Sequence, residues 1–301
     1  MLYFLQQLLH GLHAGALYGL LAFGYALTNA LLRRADLSFG ALFALAGQVL
    51  IFCAVWGWRE LWLEWWAAVA VGGCLAFLSV GFVARALAQN VFAPLEGAPP
   101  NTVIVATLGI AIALSEAMRI AADARDLWLP PLLARPVVLV ESAGFPVTLT
   151  LVQLIGIAVS AAVVLSLAWW LRVSSFGRAW RATGEDVRAA RLCGIDTGRV
   201  LNATVLCAAM VAALAGMVAA VGFGNIAYGS GLFFGLKILF LAAAGGFATP
   251  LGAASGALLF GVGEALWTGY FGADWRDGWM LGALAAVLVL RGNGGPGERP
   301  G

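Results

Sequence analysis

The chain has 301 residues, 62% hydrophobic and 11% charged, and its 17 basic and 15 acidic side chains leave a formal charge of +2. Soluble globular chains carry about 25% charged residues, so this one lacks the polar surface to cover a water-exposed body of its length, and two soluble domains are excluded. The small charge, without a basic run, points away from nucleic acid, and the scattered Cys53, Cys74, Cys193 and Cys207 form neither a disulfide framework nor a metal-ligand spacing.

The expected fold class is all-α, a polytopic α-helical membrane protein with eight or nine transmembrane segments. About 20 apolar residues cross a bilayer core as a helix, and six runs qualify: 12–32, 40–58, 65–87, 101–121, 147–171 and 200–222. Three more follow at 235–248, 250–271 and 277–291, the first and last short enough to be tilted, partly re-entrant or broken. The amino-terminal run lacks an early Lys or Arg and is too long for a signal-peptide core, so it reads as an uncleaved first span. The membrane domain is expected to cover 1–292, with a disordered Gly-, Pro- and charge-rich tail at 293–301.

Arginines set the expected orientation, because cytoplasmic loops of bacterial membrane proteins retain Lys and Arg. The loop 172–199 carries Arg172, Arg178, Arg181, Arg188, Arg191 and Arg199 against Glu185, Asp186 and Asp196, so it should face the cytoplasm. Counting spans backwards puts Arg33, Arg34 and Arg85 inside, Trp56, Trp58, Trp62, Trp65 and Trp66 at the outer interface, and the amino terminus in the periplasm. Arg291 and Arg299 predict a cytoplasmic carboxyl terminus. The stretch 122–146 contains Pro130, Pro131, Pro136 and Pro146, which forbid one continuous helix and predict an ordered outer loop. Leu37-Ser38-Phe39-Gly40 and Leu232-Phe233-Phe234-Gly235 each open an apolar run, a hint of internal duplication as common as chance in so Leu-, Phe- and Gly-rich a chain.

Within the arginine-rich loop, Glu185 and Asp186 follow Gly184 where a first helical turn favours acids, Arg188 and Arg191 fall late, and Gly194 sits where helices stop. A short helix over 185–193 is expected, with Ala189 and Ala190 small enough to admit another protein; a capped surface helix serving only topology is the plainer alternative.

These residues carry a resemblance. Phe176-Gly177-Arg178, Glu185-Asp186, Ala189-Ala190 and Gly194-Ile195, in that order, resemble the cytoplasmic coupling loop of permease subunits from branched-chain amino acid ABC importers. Leu2 to Gln7, Gly11, Gly15, Tyr18 and Gly24-Tyr25 are similar to that family's first span, and Gly235-Leu236-Lys237, Gly245-Gly246, Pro250, Gly252-Ala253 and Gly263-Glu264-Ala265 to its carboxyl-terminal half. The resemblance implies a non-catalytic permease subunit in the bacterial inner membrane. Its implied partners are a second permease subunit, two cytoplasmic ATPase subunits that use ATP and Mg and bind at the coupling loop (Arg178, Glu185, Asp186, Ala189, Ala190 and Gly194), and a periplasmic substrate-binding protein. Agreeing with this, the only lysine, Lys237, precedes Ile238, so the chain has no Walker A sequence and no cofactor is expected in it. The family's Asn, His and often Glu after the first span are replaced here by Ala35-Asp36-Leu37-Ser38-Phe39-Gly40-Ala41, where His and Glu are absent. That departure leaves cargo open between branched-chain amino acids and urea, amides or aromatic compounds.

Polar residues inside apolar runs are costly and mark candidate pathway or assembly positions. Asn29, Asp36, Ser38 and Thr107 are the pathway candidates; Asp36 reads equally well as the acid at a helix start, and the hydroxyls as bonded to their own backbone. Lys237 and Glu264, opposite charges on neighbouring runs, are expected to form a buried ion pair. Gly11, Gly15 and Gly19, like Gly252 and Gly256, form small-xxx-small series that let helix backbones meet. His10 and His13, the chain's two histidines, have no nearby acid, so no metal site is expected. An ion-coupled secondary transporter is the lesser alternative: Glu116 and Glu264 are few acids for a proton or sodium relay. An enzyme lacks a Ser/His/Asp set or paired acids within reach of one another.

Overall fold

The computed structural model describes residues 2–95, 98–131, 135–142, 145–246, 249–272 and 274–292, so the tail expected at 293–301 lies outside the described residues. In chain order the elements are α1 (Leu2–Leu32), α2 (Ser38–Glu60), α3 (Trp65–Leu87, continued by a π turn Ala88–Phe92), α4 (Pro100–Ala121), β1 (Pro136–Ser142), β2 (Phe145–Thr150), α5 (Leu151–Val173), α6 (Ser175–Glu185), α7 (Val187–Leu192), α8 (Thr197–Phe223), α9 (Ser230–Gly245), α10 (Pro250–Phe271) and α11 (Arg276–Gly292). Among the described residues seven helices, α1 to α5, α8 and α10, are long and apolar enough to cross a membrane. The shorter apolar stretches are α9 and residues 278–287 of α11.

One departure from the all-helical expectation is the antiparallel hairpin β1–β2, running from Pro136 opposite Thr150 to Ser142 opposite Phe145. It divides the apolar run 147–171. Val147 to Thr150 belong to β2, and Thr150 opens α5 through a capping box in which its hydroxyl accepts from Gln153 N and Gln153 Oε1 accepts from Thr150 N. Gln6 ties the hairpin to α1: its Oε1 accepts from Thr148 N at 2.9 Å and its Nε2 donates to Thr148 O at 2.8 Å.

Helix α1 is the spine of the bundle, buried almost continuously from Gly15 to Asn29 and packed against α5, α8, α9 and α10. Its small-residue series seats on α10. A Cβ placed on Gly15 would lie 2.5 Å from Leu258 O, and one placed on Gly261 2.3 Å from Gly15 Cα, so the two backbones touch. Lipid supplies no hydrophobic drive between helices, so such close packing is what holds them together.

The two halves of the chain pack reciprocally. Helix α1 lies on α10 as α3 lies on α8, α2 on α8 as α9 on α1, and α2 meets α9. This exchange is the contact pattern of two repeats related by a two-fold axis. The matched tetrapeptides meet at that axis: a Cβ on Gly40 would be 2.5 Å from Gly235 Cα, and Phe43 packs on Phe234 with ring centroids 5.2 Å apart.

At one end of the bundle Arg33 and Arg34, the end of α3, α6 and α7 gather; at the other lie the hairpin, Trp58 packed edge-on against Trp65, and the stretch 224–229, joined to the segment after α4 by Leu129 N to Gly224 O at 2.8 Å. Helix α9 is fastened across the bundle by Lys237, which donates to Glu264 Oε1 and Oε2 at 2.9 and 3.0 Å and to Tyr18 Oη at 2.7 Å. Arg276, at the start of α11, also pairs with Glu264 Oε1 at 3.3 Å. Four helices, α1, α9, α10 and α11, therefore converge on the buried Lys237–Glu264 pair, whose carboxylate side chain is 7% exposed.

Gly15→Val should cost about 3 kcal/mol through overpacking, whereas Gly109→Ala, with no atom within 4 Å of its added methyl, should leave thermal unfolding in detergent unchanged. Glu264→Gln deprives two cations of their shared carboxylate and should cost about 3–5 kcal/mol. Lys237→Met leaves Glu264 paired with Arg276 and should cost less in the same assay.

Candidate functional site

The arginine-rich segment is two helices rather than one rod over 185–193. Ser174 starts α6 by accepting from Gly177 N with its hydroxyl at 3.0 Å. The amphipathic α6 turns Trp180 into the bundle, where Nε1 donates to Leu27 O of α1 at 3.2 Å, and Phe176 stacks on Trp170 with centroids 5.1 Å apart. Arg178 and Arg181 stay on its exposed side. The break falls at Asp186, whose extended backbone lets its own Oδ1 accept from Arg188 N at 2.7 Å and Ala189 N at 3.1 Å. Those two N–H donors, Ala189's first, hold the Asp186 carboxyl below the ordinary aspartate range, so the cap persists until pH falls through that lowered value.

Two readings of this loop are corrected, those of Glu185 and Ala190, while Gly194 ends the helix as expected. Glu185 closes α6 instead of opening α7, at a helix end where a negative charge is disfavoured. Arg33 offsets this by donating to Gly184 O at 2.6 Å and Glu185 O at 3.0 Å. Ala190 is 3% exposed and faces its own bundle, so of the two alanines Ala189 alone is available to another protein. Gly194 stops α7 with φ +81°, a left-handed conformation suited to glycine.

Sequence reasoning passed over the most exposed large apolar side chain of the segment, Leu192, which is 91% exposed at the end of α7. Beside it are exposed Arg188, Ala189 and Cys193. The segment is anchored to the spanning helices at three points: Arg33 from the end of α1, Trp180 on α1, and Arg191 Nε donating to Thr197 Oγ1 at the start of α8 at 2.8 Å. An isolated apolar residue in a polar loop gives no periodic signal, which is why it was missed.

The polar candidates near α2 are brought together and buried. Ser38 Oγ donates to Asp36 Oδ1 at 2.6 Å, Ser38 N donates to the same oxygen at 2.9 Å, and Leu37 N donates to Thr107 Oγ1 at 3.2 Å. Thr107 in turn donates to Val103 O at 2.9 Å, and Asp36 N to Tyr25 Oη at 3.2 Å. Asp36, Ser38 and Thr107 are 4%, 0% and 0% exposed, so their polar atoms serve each other and the backbone. Asn29 Nδ2 donates to Arg34 O at 3.1 Å and shapes the turn after α1. Because Phe39 packs edge-on against Tyr25, two turns before the end of α1, the chain re-enters the bundle after Arg34 and α2 begins inside it. Helix α9 starts against the same place, with Gly231 beside Gly40 and Ala41.

Next to this buried helix start is a cavity of about 100 Å³ between α2, α4 and α9, lined by Ala41, Gln48, Ala111, Ser115, Tyr228 and Gly231. Gln48, not singled out in the sequence, donates to Ile226 O and Ala227 O and so holds the stretch before α9. Asn202 and the Glu116–Arg119 ion pair, at 2.7 Å, lie on exposed helix faces away from it. Among the described residues no group of three or more His, Cys, Asp or Glu side chains could hold a metal ion.

Comparison with known proteins now has a structure to rest on. A family profile described as the permease component of branched-chain amino acid transport systems matches residues 7–290. The chain is 28% identical over 290 residues to LivH, the high-affinity branched-chain amino acid transport system permease protein of Escherichia coli K12, covering 96% of this chain and 94% of LivH. It is 28% identical over 296 residues to the corresponding protein BraD of Pseudomonas aeruginosa, covering 97% and 95%. A shorter match, 33% identical over 43% of this chain and 41% of the relative, is to the autoinducer 2 import system permease protein LsrC of Photorhabdus laumondii. No solved structure matches. The chain is a multi-pass membrane protein and belongs to the family of permease components of branched-chain amino acid transport systems.

Proposed function

We propose that this chain is the membrane-embedded permease subunit of an ATP-binding-cassette importer, carrying branched-chain amino acids or related small polar solutes into the bacterial cytoplasm. The observation that carries this reading is α7: a capped turn of helix presenting Leu192 and Ala189 outward, fixed at its root to α1 and α8. An apolar knob on a short polar helix suits a groove on another protein. In the proposed assembly two ATPase subunits bind there and use ATP and Mg, a second permease subunit completes the pathway, and a periplasmic binding protein delivers the solute. This chain contributes no catalysis of its own, in keeping with its lack of a Walker A lysine.

Motion would pass from the ATPases through α7 and α6 to the end of α1 and the start of α8, the helices that pack around α2 and α9. The buried starts of α2 and α9 and the adjoining cavity with Gln48, Ser115 and Tyr228 are then where alternating access opens and closes. A wider cargo is the second reading, favoured by Ala35 to Ala41, which departs from the family pattern, and by the match to a permease named for autoinducer 2.

The end bearing Arg33, Arg34, Arg85, α6 and α7 supports a cytoplasmic location for that end, with the amino terminus periplasmic and the carboxyl terminus cytoplasmic. A membrane-impermeant maleimide should label exposed Cys193 in inverted vesicles and not in intact spheroplasts; the opposite pattern overturns the orientation. Leu192→Asp should abolish solute-stimulated uptake in reconstituted vesicles while membrane insertion and thermal unfolding stay unchanged. Wild-type transport by that variant would remove α7 as the point of attachment.

A further inference from the structure

A second cavity is larger than the one beside α2 and α9. It measures about 1080 Å³ and lies at the arginine-rich end, between α1, α5, α6, Leu239 of α9 and the start of α10 at Thr249, Pro250 and Leu251. Pockets for small molecules run to about 300–1000 Å³, so this space exceeds what an amino acid requires. Its inner wall is apolar, made by Phe23, Ala168, Leu171, Leu239 and Leu251.

Its rim is cationic. Arg33, Arg34, Arg172 and Arg181 line it against a single carboxylate, Glu185. Arg33 and Arg181 spend hydrogen bonds on carbonyl oxygens, Gly184 O and Glu185 O for the first and Leu171 O for the second. Carbonyls do not neutralise charge, and among the described residues Arg33, Arg172 and Arg181 make no ion pair. Four guanidinium groups against Glu185, with Asp186 near Arg33, leave the mouth net cationic, and an apolar chamber with such a mouth fits an amphiphile with an anionic head.

The setting selects which amphiphile. Along α5 the side chains leading to the rim are Leu165 at 64% exposure, Trp169 at 68% and Val173 at 60%. They form an outward apolar face at the end of α5 that includes Trp169, with Trp170 next to it and Arg172 two residues further on. Tryptophan sits at the headgroup level of a bilayer, and arginine reaches beyond it into the phosphate layer. Basic pockets between membrane helices at that depth recognise anionic headgroups.

We infer that this cleft is a binding site for one anionic phospholipid, with its phosphate among Arg33, Arg172 and Arg181 and its acyl chains along Ala168, Leu239 and Leu251. The inference rests on the chain spanning a membrane but not on what it transports. A lipid there would pack beneath α6, whose Trp180 and Gly184 line the same space, and brace the segment that joins α5 to α7.

The test uses the full-length chain with any subunits that co-purify, released from detergent in native mass spectrometry after equilibration with phosphatidylglycerol or phosphatidylcholine. Phosphatidylglycerol should be retained in preference to phosphatidylcholine, and the double variant Arg172→Gln/Arg181→Gln should weaken its apparent affinity about thirtyfold. Ala168→Trp, which fills the chamber and keeps the charge, should also lose it, while Arg85→Gln, which does not line the cleft, should not. Thermal unfolding identifies any variant that has lost its fold, in which case the other decides. Equal retention of both lipids, or retention unaffected in both folded variants, overturns the proposal. Displacement by inorganic phosphate or glycerol phosphate would make it a soluble-anion site, and cross-linking of residue 168 to another protein chain in native membranes would make it a protein contact; either result overturns the lipid.

Discussion

Backbone contact along α1 is the constraint on which the other features depend. In lipid, apolar side chains gain nothing by facing one another rather than acyl chains, so helices stay together by close van der Waals packing and a few internal polar bonds. Gly15 against Leu258 and Gly261 brings α1 and α10 together at a distance no larger residue permits. With that contact made, α1 can be enclosed on every side, the carboxylate of Glu264 comes within reach of Lys237 and Arg276, and Lys237 in turn reaches Tyr18. The ion pair is thus a consequence of the glycine packing as much as a support for it.

The same close packing creates the interior helix starts. Gly40 beside Gly231 and Gly235 allows two chain segments to enter the bundle and begin helices there. Such a start exposes N–H groups that no solvent reaches, so they need internal acceptors. Asp36 and Thr107 supply them. This accounts for buried polar residues in an apolar chain without any of them touching a solute, and it moves attention to Gln48, Ser115 and Tyr228, which border open space.

The ends of the bundle divide the labour. One end is closed by a hairpin and aromatic side chains; the other carries α6 and α7, a polar segment tied by short bonds to α1 and α8. Membership in the permease family makes sense of such a lever: a subunit driven from outside needs a rigid handle more than it needs reactive groups. The apolar chamber under α6 lies beside that handle.

Membrane class, most spans, the charge asymmetry and the small-residue contacts were legible in the sequence, because each rests on a local composition or a 3.6-residue repeat that a bilayer enforces. The family resemblance was legible for a similar reason, as an ordered series of short motifs along one chain. The hairpin, the split of the arginine-rich segment at Asp186, the inward turn of Ala190, the exposure of Leu192 and the hydrogen bonds of Gln48 were decided by tertiary structure alone. Each depends on which groups from distant parts of the chain are near enough to accept a hydrogen bond or exclude water, such as Arg33 reaching Gly184 across 151 residues, and no periodicity along a single segment encodes that distance.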